Sequence, residues 1–132
     1  MTIKANALTP IPNDWSLQEA ATLPCAGLTA WRAIMEEGNL QPNETILVQG
    51  SGGVSIFALQ LAKAHGANVI ATTSSDEKAE KLKSLGADEV VNYKEHPQWG
   101  KEVLKLTANE GVDHVVEVAG GESFNESIRC AK

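Results

Sequence analysis

Thr45-Ile46-Leu47-Val48-Gln49-Gly50-Ser51-Gly52-Gly53-Val54-Ser55-Ile56-Phe57-Ala58-Leu59-Gln60-Leu61-Ala62-Lys63 decides how the rest of the chain is read. Its first four residues form a short, almost wholly apolar run, which suits a strand buried on both faces of a parallel sheet. Four residues rich in glycine follow, Gly50 to Gly53. Val54, Phe57, Ala58, Leu61 and Ala62 then recur at helical spacing, and Gly66 suits the helix end. Strand, glycine turn and helix thus stand in the order that an anion site requires. Gly50 can make the tight turn off the strand. Gly52 lets the backbone approach a pyrophosphate closely. A helix opening near Gly53 and Val54 offers free N–H groups, with Ser51 beside them, and the positive end of its dipole.

The third glycine of a G-x-G-x-x-G pattern falls on Ser55. That position governs helix–strand packing, and serine is small enough to preserve the turn. A glycine loop with no ligand is the bland alternative; the flanking strand and helix favour a dinucleotide. A nucleoside-triphosphate loop is excluded because no Gly-Lys-Ser/Thr follows.

The same rhythm continues on both sides. Residues 1–15 read as an irregular lead-in, with Pro10 and Pro12 limiting helix formation. Ser16 and Glu19 form a capping box for a helix through about Thr22, which Pro24 interrupts. Leu28, Trp31, Ile34 and Met35 recur at helical spacing, so a second helix is expected from about Cys25 to Glu37, ended by Gly38. Downstream, Asn68 to Thr72 is a second buried strand. Ser74 and Glu77 suggest another capping box before a helix that stops at Gly86. Glu89 to Tyr93 is a third strand, and a helix covers about Trp99 to Thr107. His114 to Val118 is a fourth strand, and Gly120-Gly121 turns into a last helix. This alternation implies an α/β fold with a parallel, doubly wound sheet. The Rossmann pattern orders its four strands 3-2-1-4. Residues 16–132 form that domain.

Composition narrows the function. A chain of 132 residues can bury one core. Its net charge of -6, without a Lys/Arg-rich run, disfavours nucleic-acid and anionic-membrane partners. No stretch approaches the roughly 20 apolar residues of a membrane span. Met1-Thr2-Ile3-Lys4 is not followed by an apolar signal core, so a cytoplasmic location is expected. Cys25 and Cys130 are far apart and carry no CxxC or Cys/His spacing, against a disulfide framework or structural zinc.

The end of the second strand bears on the cofactor. Folds that hold NAD(H) usually place Asp or Glu there to bind ribose hydroxyls. Here the run is Ala71-Thr72-Thr73-Ser74-Ser75, with no carboxylate before Asp76. Hydroxyls tolerate a 2′-phosphate that a carboxylate would repel, and Lys78 can supply charge. The segment favours NADP(H) over NAD(H), and it also weighs against S-adenosylmethionine. Plain helix-capping by Ser74 and a solvated Lys78 are the alternatives.

Leu23-Pro24-Cys25-Ala26-Gly27-Leu28-Thr29-Ala30-Trp31, Gly50 to Ser55, Ser84-Leu85-Gly86-Ala87-Asp88 and Val91-Asn92-Tyr93 resemble the medium-chain dehydrogenase/reductase superfamily. The nearest subgroup is the zinc-type alcohol dehydrogenase-like and quinone oxidoreductase-like proteins. The resemblance runs from about Asp14 to Lys132. It implies an N-terminal GroES-like catalytic domain and a six-stranded Rossmann domain in the parent. On this reading the chain lacks the catalytic domain and is incomplete at its C-terminus, an excised part of a longer enzyme and inactive alone.

Matching positions imply roles. Thr29 corresponds to a threonine near the nicotinamide. Ser74, Lys78 and Tyr93 correspond to positions around an adenosine 2′-phosphate. Val118-Ala119-Gly120 resembles the segment lining the cofactor ribose. Cys25 matches a catalytic zinc ligand of the zinc-dependent branch, or a small buried hydrophobe. The parent is expected to transfer hydride between NADPH and a small carbonyl, alcohol, quinone or enone. A non-enzymatic NADP(H) sensor or assembly module is the rival reading.

The remaining residues carry blander expectations. His65 suits a helix C-terminus, His96 a surface loop, and His114 a structural place on its strand. Glu117 is expected to organise loops near the cofactor crevice. Trp31 is expected to pack against the sheet, with Trp15 and Trp99 partly exposed. The fourth strand should leave a free edge that invites pairing. Homo-oligomers, edge-paired or exchanged dimers, are therefore expected, and a concentration-independent monomer would count against them.

Overall fold

The computed structural model describes residues 2–132. Four parallel strands form its sheet: β1 Thr45–Gln49, β2 Asn68–Thr73, β3 Glu89–Asn92 and β4 His114–Val116. Their spatial order is β3-β2-β1-β4, as the Rossmann pattern implies. β1 is central. Leu47 aligns with Ile70 of β2 and with Val115 of β4. Ile46, Leu47 and Val48 are fully buried, because helices cover both faces of the sheet.

Strand alternation divides the apolar side chains between two cores. Ile46, Val48, Val69 and Ala71 point to the face covered by α3 (Gly53–Ala64) and α4 (Asp76–Ser84), where Ala58, Leu59 and Leu82 meet them. Leu47, Ile70 and Val91 point to the other face, against Trp99 and Val103 of α5 (Trp99–Leu106) and Cys130 of α6 (Glu122–Cys130). Trp99 is therefore buried, not partly exposed as expected: it stands at the start of the amphipathic α5 and belongs to its sheet-facing stripe.

The leading segment departs from the expected broken helix. α1 (Leu17–Thr22) begins with the capping box, Ser16 Oγ accepting from the Glu19 N–H and Glu19 accepting from the Ser16 N–H. Pro24 does not stop the chain. Helical backbone continues through a π turn (Leu23–Gly27), α2 (Leu28–Trp31) and a second π turn (Arg32–Glu37). A proline lacks the N–H that would bond Ala20 O. Instead the Leu23 N–H donates to Ala20 O, and the next turn widens. The widening also rotates the faces. Ala30 and Ile34 are buried, whereas Leu28 and Trp31 are exposed, so Trp31 does not pack on the sheet. At the helix end, the left-handed residue is Asn39 (φ 48) and not Gly38 (φ -77).

Helix-to-strand connections repeat one device. After α3 and after α4 the chain leaves by a Schellman turn: Ala67 N donates to Ala62 O and Ala87 N to Leu82 O. A carboxylate then ties the start of the neighbouring strand. Asp88, just before β3, accepts from the Val69 N–H of β2 at 2.6 Å and from Lys63 Nζ of α3 at 2.9 Å. Asp113, just before β4, accepts from the Thr45 N–H of β1 at 2.8 Å. His114, as expected, is structural: its Nε2 lies 2.8 Å from Glu44 Oε2.

Burial alone would raise the Asp88 pKa, but the bonds from Lys63 and Val69 outweigh it and hold the carboxyl below its usual range. A depressed folded-state pKa gives stability that is present above the unfolded value, roughly pH 4. It is lost as pH falls through the folded value. Asp88→Asn should therefore lower Tm by a few degrees near neutrality, and the gap to wild type should close on acidification below about pH 4. A Tm gap that stays constant across that pH series would contradict the assignment.

Candidate dinucleotide site

All four strands end on one side of the sheet, and the turn from β1 into α3 lies at the centre of that edge. Ligands of open α/β sheets bind there, where the chain departs in opposite directions from neighbouring strands. Gly50 has φ 74, a left-handed conformation open to glycine and costly for most side chains. Its N–H donates to Thr72 O at 2.9 Å and fastens the turn to β2. Ser55 is buried, and its Oγ donates to Gln49 O at 2.6 Å. The serine in the third glycine position thus pins the first turn of α3 to the end of β1. Small size alone had suggested tolerance; the bond adds a positive role.

The two middle glycines, Gly52 and Gly53, differ in what they require. A Cβ on Gly52 would meet nothing within 4 Å, whereas one on Gly53 would lie 3.2 Å from Ala26 Cβ. Gly53 is glycine for packing against the π turn. Gly52 is the N-cap of α3 and borders open space. α3 has no capping side chain and no carboxylate in its first turn. Its N-terminal N–H groups, beside Ser51 and including that of Val54, are left without a side-chain cap, an arrangement that suits an anion.

Hollows lie on both sides of this helix end. One, of about 430 Å³, is bounded by Gly50, Thr72, Tyr93, Trp99 and Ala119. The other, of about 490 Å³, lies between α2 and β4 and is bounded by Thr29, Val54, Glu117 and Val118. Gly50, Tyr93 and Ala119 therefore converge in one hollow, and Thr29 and Val54 in the other. Ser74, Ser75 and Lys78 line neither.

The end of β2 differs from the expected cap. β2 runs to Thr73, so α4 starts at Asp76 and its N-cap is Ser75, which makes no side-chain cap bond. Ser74 and Glu77 do not form a capping box, because Lys78 occupies the third helical position. Asp76 Oδ1 accepts from Asn92 Nδ2 at 3.2 Å. Thr73 Oγ1 is buried without a hydrogen-bond partner. Lys78 is exposed, and Ser74 and Ser75 are half-buried.

A polar cluster under the β4 loop was only partly legible in the sequence. Gln49 Nε2 donates to Glu117 Oε2 at 2.8 Å and to Ser127 Oγ at 2.7 Å. Ser127 Oγ donates to Glu117 Oε2. Glu117 Oε1 accepts the N–H groups of Ala119 and Gly120 at 2.9 and 2.8 Å. Burial would raise the Glu117 pKa, yet the bonds from Ser127, Gly120, Gln49 and Ala119 keep it below its usual range. A carboxylate on the expected fourth strand, near the expected cofactor crevice, points to Glu117, although β4 itself ends at Val116; nothing in the periodicity points to Ser127, one turn of α6 beyond Ser123.

Cys25 is exposed on the π turn, and the described residues hold no group of three His, Cys, Asp or Glu side chains able to bind a metal. Burial pushes the Cys130 thiol up to about 11, which leaves it inert near neutrality. Among the described residues, no helix is long and apolar enough to cross a membrane.

Residues 53–132 match the family described as zinc-binding dehydrogenase. The zinc-type alcohol dehydrogenase-like protein C1773.06c of Schizosaccharomyces pombe is 48% identical over 130 residues, which are 97% of this chain and 38% of that protein. A solved NAD-dependent alcohol dehydrogenase superposes with TM-score 0.87 at 43% identity, over 93% of this chain and 36% of that one. Mycobacterial Rv1454c, solved complexed with NADPH, superposes with TM-score 0.85 at 33% identity, over 92% and 38%. The chain thus spans little more than a third of the length of these relatives.

The different demands on the two glycines can be separated by stability. Gly52→Ser adds a favoured N-cap residue into open space and should keep or raise Tm. Gly53→Ala drives a methyl against Ala26 and should lower it by about 4 °C, for a cost of about 1 kcal/mol. Thermal unfolding of the two variants checks this; equal Tm values would contradict it.

Proposed function

We propose that this chain, which belongs to the zinc-binding dehydrogenase family, holds NADP(H) for hydride transfer to or from a small carbonyl, alcohol, quinone or enone. The observation that carries the reading is the uncapped, carboxylate-free N-terminus of α3 opening at Gly52 onto unfilled space. It supports a pyrophosphate seated between two hollows, as a dinucleotide needs.

In this reading the backbone N–H groups of Gly52, Gly53 and Val54 bind the pyrophosphate, and Gly50 and Ser51 shape the turn that admits it. The hollow at Tyr93, Trp99 and Ala119 takes the adenosine half. Thr73, Ser74, Ser75 and Lys78 border the position of a 2′-phosphate. Thr29 faces the nicotinamide half across Val54 and Val118, and Ala119 and Gly120 flank the ribose. The nicotinamide supplies the hydride chemistry when bound; these residues bind and orient it. They include no partner for substrate chemistry opposite the turn, so the 132 residues alone should bind cofactor weakly at best and should not turn over substrate. The zinc assignment of Cys25 does not enter this reading.

Among solved relatives, one is an NAD-dependent alcohol dehydrogenase and another was complexed with NADPH, so the choice here rests on this chain's own residues. No carboxylate precedes Asp76 after β2, and Asp76 already accepts from Asn92. Self-association along the outer edge of β4 belongs to the same proposal: among the described residues β1 is its one strand partner, with Ala131 bridging Val112 just ahead of it.

Fluorescence titration with NADPH and NADH tests the cofactor assignment. NADPH should bind more tightly, and Lys78→Ala should weaken NADPH about tenfold, roughly 1.4 kcal/mol, while leaving NADH unchanged. No advantage for NADPH, or an unaltered NADPH affinity in Lys78→Ala, would overturn it.

A further inference from the structure

The two hollows beside the phosphate turn share one wall, the loop from Val118 to Gly120. Val118 borders the hollow that contains Thr29, and Ala119 borders the hollow that contains Tyr93. These three residues are exposed, and Gly120 and Gly121 both have positive φ, at 64 and 59. Such a loop is not held in place by apolar burial. It is held by the polar cluster beneath it.

That cluster reaches three elements. Glu117 is the first residue beyond β4, Gln49 is the last residue of β1, and Ser127 lies in α6. Gln49 and Ser127 are 6% and 4% exposed, so their mutual bonds are shielded from water. One carboxylate oxygen of Glu117 takes the donors from Gln49 and Ser127, and the other takes two consecutive loop N–H groups. The side-chain Oε1 of Gln49 also accepts from the N–H groups of Val118 and Ala119, at 3.4 and 3.3 Å. The same Gln49 gives its backbone carbonyl to Ser55. One residue thus joins the β4 loop to the phosphate turn.

We infer that Glu117 is a positioning residue: bridged to Gln49 and Ser127, it sets the wall between the two hollows so that both halves of a dinucleotide can seat at once. This rests on the reading of the site as a dinucleotide site. The carboxylate does not touch the α3 N-terminus itself. It occupies loop N–H groups that would otherwise turn freely, and it fixes the distance from the loop to Gly50. Gln49 and Ser127 serve the same end, since each removes a direction in which Glu117 could swing. An amide at position 117 cannot accept all four donors, because one end of it is itself a donor.

The test is a comparison of whole and half ligands in wild type, Glu117→Gln and Ser127→Ala. The probes are NADPH, NADH and 2′,5′-ADP, the last filling only the adenosine half. Loss of hydrogen bonds to a charged group of this kind should weaken NADPH about tenfold in Glu117→Gln. The 2′,5′-ADP affinity should fall by only about twofold, since Ala119 is the one residue of the Val118–Gly120 loop that borders the adenosine hollow. Ser127→Ala should shift NADPH in the same direction and by less, and it keeps the assignment testable should Glu117→Gln not fold. Amide exchange of Ala119 and Gly120 in the ligand-free chain should quicken in both variants. Unchanged NADPH affinity with unchanged exchange would overturn the role of Glu117 while leaving the site standing. Equal weakening of NADPH and 2′,5′-ADP would also overturn it, by reducing the residue to general scaffolding. Failure of wild type to bind any of the three ligands would instead remove the dinucleotide reading and this inference with it.

Discussion

The bond from Ser55 Oγ to Gln49 O is the contact on which the site depends. β1 must end, reverse into α3 and leave the helix N-terminus bare, all within a few residues. Gly50 allows the reversal through its left-handed backbone. Ser55 then returns to the carbonyl at the end of the strand, so the first turn of α3 is fastened without any side chain capping it. A more usual cap at Gly52 would satisfy the helix end internally and fill the place an anion needs. The structure instead stabilises the turn from behind and leaves its front open.

Everything around that turn adjusts to it. The leading helical segment widens into a π turn at Leu23–Gly27, which brings Ala26 against Gly53 and leaves Thr29 beside Val54. Asp88 and Asp113 bind the N–H groups at the starts of β2 and β1. They set the strands in register at the edge opposite the site, so that Thr72, Gly50 and Ala119 arrive together at the other. Glu117 does comparable work at the site edge, where the loop after β4 has no apolar burial to order it.

The sheet was legible because its signals are local and redundant. Apolar runs at 45–48, 68–72, 89–93 and 114–118, each separated by helical periodicity and a glycine, admit few alternatives to a parallel sheet. The glycine turn was legible for the same reason. What escaped the sequence depends on neighbours distant in the chain. Pro24 reads as a helix breaker until Leu23 is seen to satisfy Ala20 in its place. Trp31 and Trp99 exchange their expected environments, since a π widening and the crossing of α5 decide which face each presents. Ser74 and Ser75 differ by one residue in which of them caps α4, a shift set by how far β2 runs. The union of Gln49, Glu117 and Ser127 spans 78 residues and leaves no periodic trace.

In the proposed function the α3 N-terminus receives a pyrophosphate. Amide chemical shifts followed by heteronuclear NMR during NADPH addition examine that contact itself. The N–H signals of Gly52, Gly53 and Val54 should move together and saturate at one ligand concentration, with Ala119 and Gly120 following the same curve. If saturation is reached while those three amides stay where they began, the dinucleotide does not sit on this helix, and the site as described is wrong.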